Sequence, residues 1–157
     1  MAESFRLTVV SPAGEVLDRE VVELTAPGVD GQFGILPRHA RFMTALGFGE
    51  LRYVDTEGDS GILAVAGGFA EVSPQGVNVL AQTAEDAASV DVARAEAALE
   101  RARARLERPE EGTDVGRATI AMERSLLRLA AAKARGVKAA RTGIRTTEMP
   151  IPGEKPE

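Results

Sequence analysis

Ser89-Val90-Asp91-Val92-Ala93-Arg94-Ala95-Glu96-Ala97-Ala98-Leu99-Glu100-Arg101-Ala102-Arg103-Ala104-Arg105-Leu106 is the stretch on which the fold turns. Val92, Ala95, Leu99, Ala102 and Leu106 recur at 3-4-3-4 spacing, which places them in one apolar stripe along a helix. Ser89 is the expected N-cap before Val90. Pro109 and the segment from Glu110 to Thr113, with Gly112 as the turn residue, end this helix. Thr113 or Asp114 can cap a second helix, whose expected stripe is Val115, Ala118, Met122, Leu126 and Leu129. A connection of about half a dozen residues between two amphipathic helices predicts an antiparallel hairpin.

Upstream of this stretch the period is two. Phe5, Leu7 and Val9 alternate with Arg6 and Thr8, and Val22, Leu24 and Ala26 alternate with Val21, Glu23 and Thr25. Leu51 and Tyr53 flank Arg52, and Val77 and Val79 flank Asn78. Ile62 to Ala66 is continuously apolar, the pattern of a strand covered on both faces. Glycine and proline punctuate these runs at short intervals, as in a sandwich or barrel of short strands. The expected fold class is therefore an all-β N-terminal sandwich followed by an α-helical antiparallel hairpin. The expected units are residues 1–87, residues 88–140, and a Pro-containing tail over 141–157 that reads as disordered.

Charge changes at the same boundary as the period. Residues 1–90 carry five Lys/Arg against thirteen Asp/Glu, whereas the remainder carries fourteen against eleven. Two units of opposite sign suggest two kinds of partner. With 44% hydrophobic residues but only 4% aromatic, the core must be built from aliphatic side chains. No apolar run approaches the roughly 18 residues of a membrane span, and the start of the chain lacks a signal pattern, so a soluble, unexported protein is expected.

Catalysis has little to work with. Cysteine is absent and His39 is the sole histidine, which argues against a zinc centre or a histidine-activated nucleophile. Neither catalytic nor metal-ligating residues are assigned. The glycines at Gly28, Gly31 and Gly34 are followed by no Lys-Ser or Lys-Thr, so they do not form a P-loop. Gly67-Gly68 reads as a bulge or a close backbone approach. A nucleic-acid role for the basic second helix conflicts with a pI near 5.1 and the lack of stacking aromatics in the helices.

Five segments carry a family likeness. Gly31-Gln32-Phe33-Gly34-Ile35-Leu36-Pro37-Arg38-His39-Ala40 is followed by Thr44-Ala45-Leu46 and then Gly49-Glu50-Leu51-Arg52. Later come Val65-Ala66-Gly67-Gly68-Phe69-Ala70-Glu71-Val72 and Val77-Asn78-Val79-Leu80-Ala81. In this order and spacing, together with the hairpin, the chain resembles the epsilon subunits of rotary F-type ATP synthases over residues 4–135. The resemblance implies a non-catalytic central-stalk subunit. Its sandwich would bind the gamma subunit and the ring of c subunits, and its helices would restrain ATP hydrolysis at the alpha/beta catalytic subunits. It also implies peripheral membrane association through the complex alone, at the cytoplasmic face of a bacterial plasma membrane, with a thylakoid setting as the alternative.

Carried over by position, Gln32, Phe33, Leu36 and His39 would meet the c-ring. Gln32 stands where many relatives have an acidic residue. His39 has a second reading, as a turn residue bonded to backbone. Val90-Asp91-Val92-Ala93-Arg94-Ala95 resembles the family's Ile/Leu-Asp-x-x-Arg-Ala motif, through which some bacterial members bind ATP. By that likeness Asp91 and Arg94, assisted by Glu85, Arg101, Arg124 and Arg128, would hold ATP as a regulatory ligand, no cofactor being required. The chemistry suits guanidinium forks on phosphate oxygens. The alternative is an Asp91 that serves the helix start and arginines that are merely solvated. Arg117, Arg124, Arg128 and Arg135 share one face of the second helix, with Lys138, Arg141 and Arg145 beyond. By resemblance that face is inhibitory, engaging acidic loops of the beta subunits; otherwise it is a solubilising surface.

Overall fold

The computed structural model describes residues 3–143, with side chains described through Gly136. Six strands precede the helices: β1 (Phe5–Ser11), β2 (Gly14–Gly28), β3 (Gly31–Ile35), β4 (Phe42–Asp55), β5 (Ser60–Ser73) and β6 (Gly76–Asp86). They are hydrogen-bonded in the order β1-β6-β5-β4-β2-β3, and an additional β1–β2 pairing closes the sheet on itself. The result is a flattened barrel, or sandwich, with a largely aliphatic centre that includes one aromatic, Tyr53. Leu7, Val9, Val21, Leu24, Leu51, Leu63, Val65, Val77 and Val79 are fully buried in it. All neighbouring pairs are antiparallel except β1 and β6, which run parallel from Leu7↔Val77 to Val10↔Leu80.

One strand departs from simple alternation. On β2 both Val21 and Leu24 are buried, while Val22 is only half-buried. The pairing with β4 steps from Val21↔Asp55 to Glu23↔Val54, so β2 carries an extra residue at this point. A bulge of this kind resets which side chains face inward.

The β4–β5 turn is built around Asp55, whose side chain is 6% exposed. Its Oδ1 accepts the backbone N–H groups of Glu57 and Asp59 at 3.0 and 2.9 Å, and its Oδ2 accepts from Arg19 Nη1 at 3.1 Å. Although Asp55, Glu57 and Asp59 bring carboxylate oxygens within 4.8 Å of one another, the buried member is thus committed to turn and ion pair.

A 3-10 turn (Ala87–Ser89) leads into α1 (Val92–Glu107) and α2 (Val115–Gly143). Ser89 does not cap α1. It lies inside the 3-10 turn, which is capped by Asp86 through Ala88 N–H at 2.8 Å. Asp91 is the cap of α1, accepting the N–H of Arg94 at 3.0 Å, and Asp114 accepts from Arg117 N–H in the same way for α2. Gly112, with φ 85°, makes the intervening turn in the left-handed region.

Ala95, Leu99 and Ala102 of α1 are buried as their spacing requires, but Val92 is exposed. On α2 the expected stripe is buried only at Ala118 and half-buried at Met122 and Leu129. Val115 is 52% and Leu126 42% exposed, whereas Ala118, Ser125 and Ala131 are buried. The reason is that α2 packs against two neighbours, α1 and the sandwich. Ala131, with Leu127 and Ala134, lies against Ile62, Ala64 and Ala87. This second cover accounts for the uninterrupted apolar run Ile62 to Ala66, every residue of which is buried. The expected tail over 141–157 lies largely outside the described residues.

Candidate functional site

Strand pairing assembles an apolar row on the outside of the sandwich. Val10 is opposite Leu80, Leu80 opposite Phe69, and Phe69 opposite Ala45, across β1, β6, β5 and β4. Directly paired residues share a face of a sheet. Here that face is solvent-exposed, with Phe69 58% and Leu80 60% accessible. The flanking row, Thr8, Asn78, Glu71 and Met43, adds another exposed apolar chain at Met43. Large side chains paired in this way mark an association surface. The sequence reading missed it. The available signal was the alternation Phe69-Ala70-Glu71-Val72, in which the smaller Ala70 faces inward and Phe69 outward.

Gln32, Phe33, Leu36 and His39 lie on β3 and the turn after it, at one end of the sandwich. Gln32, Leu36 and His39 are exposed, while Phe33 is half-buried with its ring edge-on to Phe42 at 5.4 Å. His39 Nδ1 is 2.7 Å from the carbonyl oxygen of Ala40, and its backbone N–H donates to Leu36 O at 3.2 Å. Arg38 holds a positive φ of 63° and pairs with Glu3.

The six residues considered for a nucleotide separate into two groups. Arg128 on α2 grips Glu85 on β6 with both prongs of its guanidinium, Nε to Oε2 at 2.6 Å and Nη2 to Oε1 at 3.0 Å. That pairing raises the Arg128 pKa above the usual guanidinium value, with Asp91 adding a smaller attraction. Beside it opens a cleft of about 470 Å³, lined by Arg124, Leu127 and Arg128 from α2 and by Ala64, Ala66 and Ala84 from the sheet. Asp91 is spent on the α1 cap, and Arg94 and Arg101 are exposed on α1, outside the lining of that cleft.

The four arginines of the basic face stay together. Spaced at 117, 124, 128 and 135, they form one stripe along α2, with Arg117 and Arg124 lining a groove between the two helices. Arg124 and Arg128 line the cleft, and Arg117 and Arg135 are exposed beyond it. Among the described residues no helix is long and apolar enough to cross a membrane.

An acidic β-body with an apolar outer row, joined to a basic helix pair that touches it along one helix, defines a two-part assembly subunit. Known proteins give this class its family. Residues 4–87 match the beta-sandwich domain of the ATP synthase delta/epsilon chain, and residues 89–133 match the long alpha-helix domain of the same chain. The ATP synthase epsilon chain of Desulforapulum autotrophicum is 42% identical over 86% of this chain and 100% of its own length. That of Desulfitobacterium hafniense is 45% identical over 85% of this chain and 99% of its own. In the Euglena gracilis mitochondrial ATP synthase (OSCP/F1/c-ring, rotational state 1), one chain superposes with a TM-score of 0.71 at 26% identity, covering 82% of this chain and 81% of that one. The chain belongs to the ATP synthase delta/epsilon family, whose members of this kind are stalk subunits rather than catalytic ones.

Proposed function

We propose that this subunit couples the rotor of a proton-translocating F-type ATP synthase to its catalytic head and restrains ATP hydrolysis through its helices. The sandwich is the docking body. Its Val10–Leu80–Phe69–Ala45 row suits the gamma subunit, and the β3 end, with Gln32, Phe33, Leu36 and His39, suits the polar loops of a c-ring. The helices are the regulatory arm over residues 88–140, and their basic face, Arg117, Arg124, Arg128 and Arg135, suits acidic segments of the beta subunits. The complex would sit at the cytoplasmic face of a bacterial plasma membrane.

The single observation that carries the regulatory part is the hairpin's attachment. The sandwich meets α2 and the 3-10 turn, while α1 packs on α2. The α2–sandwich cluster consists mainly of alanines, each contributing about 0.8 kcal/mol per buried methyl. Such a joint can open without unfolding the body. Deleting residues 91–157 is the test: hydrolysis by the assembled enzyme should rise while assembly persists, and unchanged hydrolysis would remove the inhibitory role.

A nucleotide fits the same arm as a regulatory ligand. Arg124, with the Nη1 that Arg128 keeps outside its Glu85 pair, can address phosphates, and the alanine floor of the cleft can accept an apolar ring. Glu85, Asp91, Arg94 and Arg101 complete the set if the hairpin adjusts around the ligand. Calorimetric titration of the free chain with millimolar ATP, repeated on Arg94→Ala, decides this; absence of heat from the native chain rejects it.

A further inference from the structure

Of the arginine stripe proposed to meet an acidic partner, the two middle members, Arg124 and Arg128, line a cleft against the chain's own acidic sandwich. The stripe's centre is already occupied. Both carboxylate oxygens of Glu85 are taken up by Arg128, with side chains only 32% and 27% exposed, and Arg124 lines the same cleft. Of the stripe's four members, Arg128 is the one held in an ion pair among the described residues. A guanidinium gripped at two nitrogens by one carboxylate cannot present the same fork to another.

We propose that Glu85 is an internal decoy for the acidic partner of α2, holding Arg128 in the docked hairpin and releasing it only when the hairpin leaves the sandwich. This rests on the inhibitory role proposed above and names how that role is switched. The docked and inhibitory states then compete for one side chain, so Glu85 sets the balance between them. Glu85 closes β6 on the body, and Arg128 lies one helical turn before Ala131, the residue most deeply seated on the sandwich. The pair and the apolar joint therefore break together.

The decoy has a signature that a merely structural ion pair lacks. Glu85→Gln and Arg128→Gln each remove the pair, so in the free chain each should speed amide hydrogen exchange across residues 124–134 by about tenfold. In the assembled ATP synthase they should move hydrolysis in opposite directions. Glu85→Gln liberates an intact arginine and should deepen inhibition by roughly threefold or more, whereas Arg128→Gln removes the arginine the partner needs and should relieve it. The double variant Glu85→Arg with Arg128→Glu should restore slow exchange and remain uninhibited.

If both single variants shift hydrolysis the same way, or if Glu85→Gln leaves exchange at 124–134 unchanged, the decoy is overturned while the inhibitory role stands. If deletion of 91–157 does not raise hydrolysis, the inhibitory role falls and the decoy falls with it.

Discussion

Phe69 and Leu80 face each other across β5 and β6 on the outside of the sandwich, each more than half exposed, with Val10 and Ala45 extending the row on either side. Burying two side chains of this size against a partner is worth about 1.5–3 kcal/mol each. Neither contributes to the sandwich core, so Phe69→Ser with Leu80→Ser should leave the free chain's unfolding midpoint within about 0.5 kcal/mol. Co-purification with the rotor stalk should be lost. Retained association at native strength would exclude this face as the docking surface.

Gly68 is a position only glycine can hold. Its φ is 114°, and a Cβ there would collide with the carbonyl oxygen of Leu80 on the neighbouring strand. Since that oxygen belongs to the β5–β6 ladder, the sheet must open to admit a methyl group. Gly68→Ala should cost about 2–4 kcal/mol, read as a fall in the urea midpoint with little change in slope.

Much of this was legible in the chain. The change from alternating to helical spacing near residue 90, the aliphatic core and the doubly covered run Ile62 to Ala66 follow from side-chain periodicity alone. Two things were hidden for physical reasons. The bulge at Val22 adds one residue on β2 against β4, which depends on pairing rather than on local pattern. On α2, the sandwich-facing contact is made by Ala131 and Ala134, whose methyls carry too little hydrophobic weight to compete with Leu126 in any stripe. The same applies to the site. Arg124 and Arg128 were visible as arginines, but that they border the sandwich depends on that alanine contact. The Phe69–Leu80 row depends on the register of two strands.

Tyr53 is the only tyrosine, it is 6% exposed, and burial pushes its phenol above the usual range. A raised folded-state pKa means the protonated form is favoured by folding. The associated stability is present in full below the unfolded tyrosine pKa and is lost as pH rises through the folded one. Ultraviolet difference absorbance should therefore show a single phenol titrating later in the native chain than in urea. Stability should decline over that alkaline window, and Tyr53→Phe should flatten the decline. A titration curve identical in native and unfolded chain would refute this.

Ala131 separates the strength of the hairpin joint from the ion pair beside it. It is fully buried in an apolar cluster with Ile62, Ala64 and Ala87. An aspartate introduced there must either lose its hydration in an apolar seat, at a cost of about 3 kcal/mol or more, or lift α2 away. Lifting α2 is the cheaper course, because the sandwich core is complete without the helices. Ala131→Asp should therefore leave the cooperative melting of the sandwich near its native value while amides of α2 lose protection. The Glu85–Arg128 pair should not rescue docking, since the Arg128 side chain reaches Glu85 only when the turn that carries Ala131 is seated. If α2 stays protected in this variant, the helix is held by something other than the alanine contact.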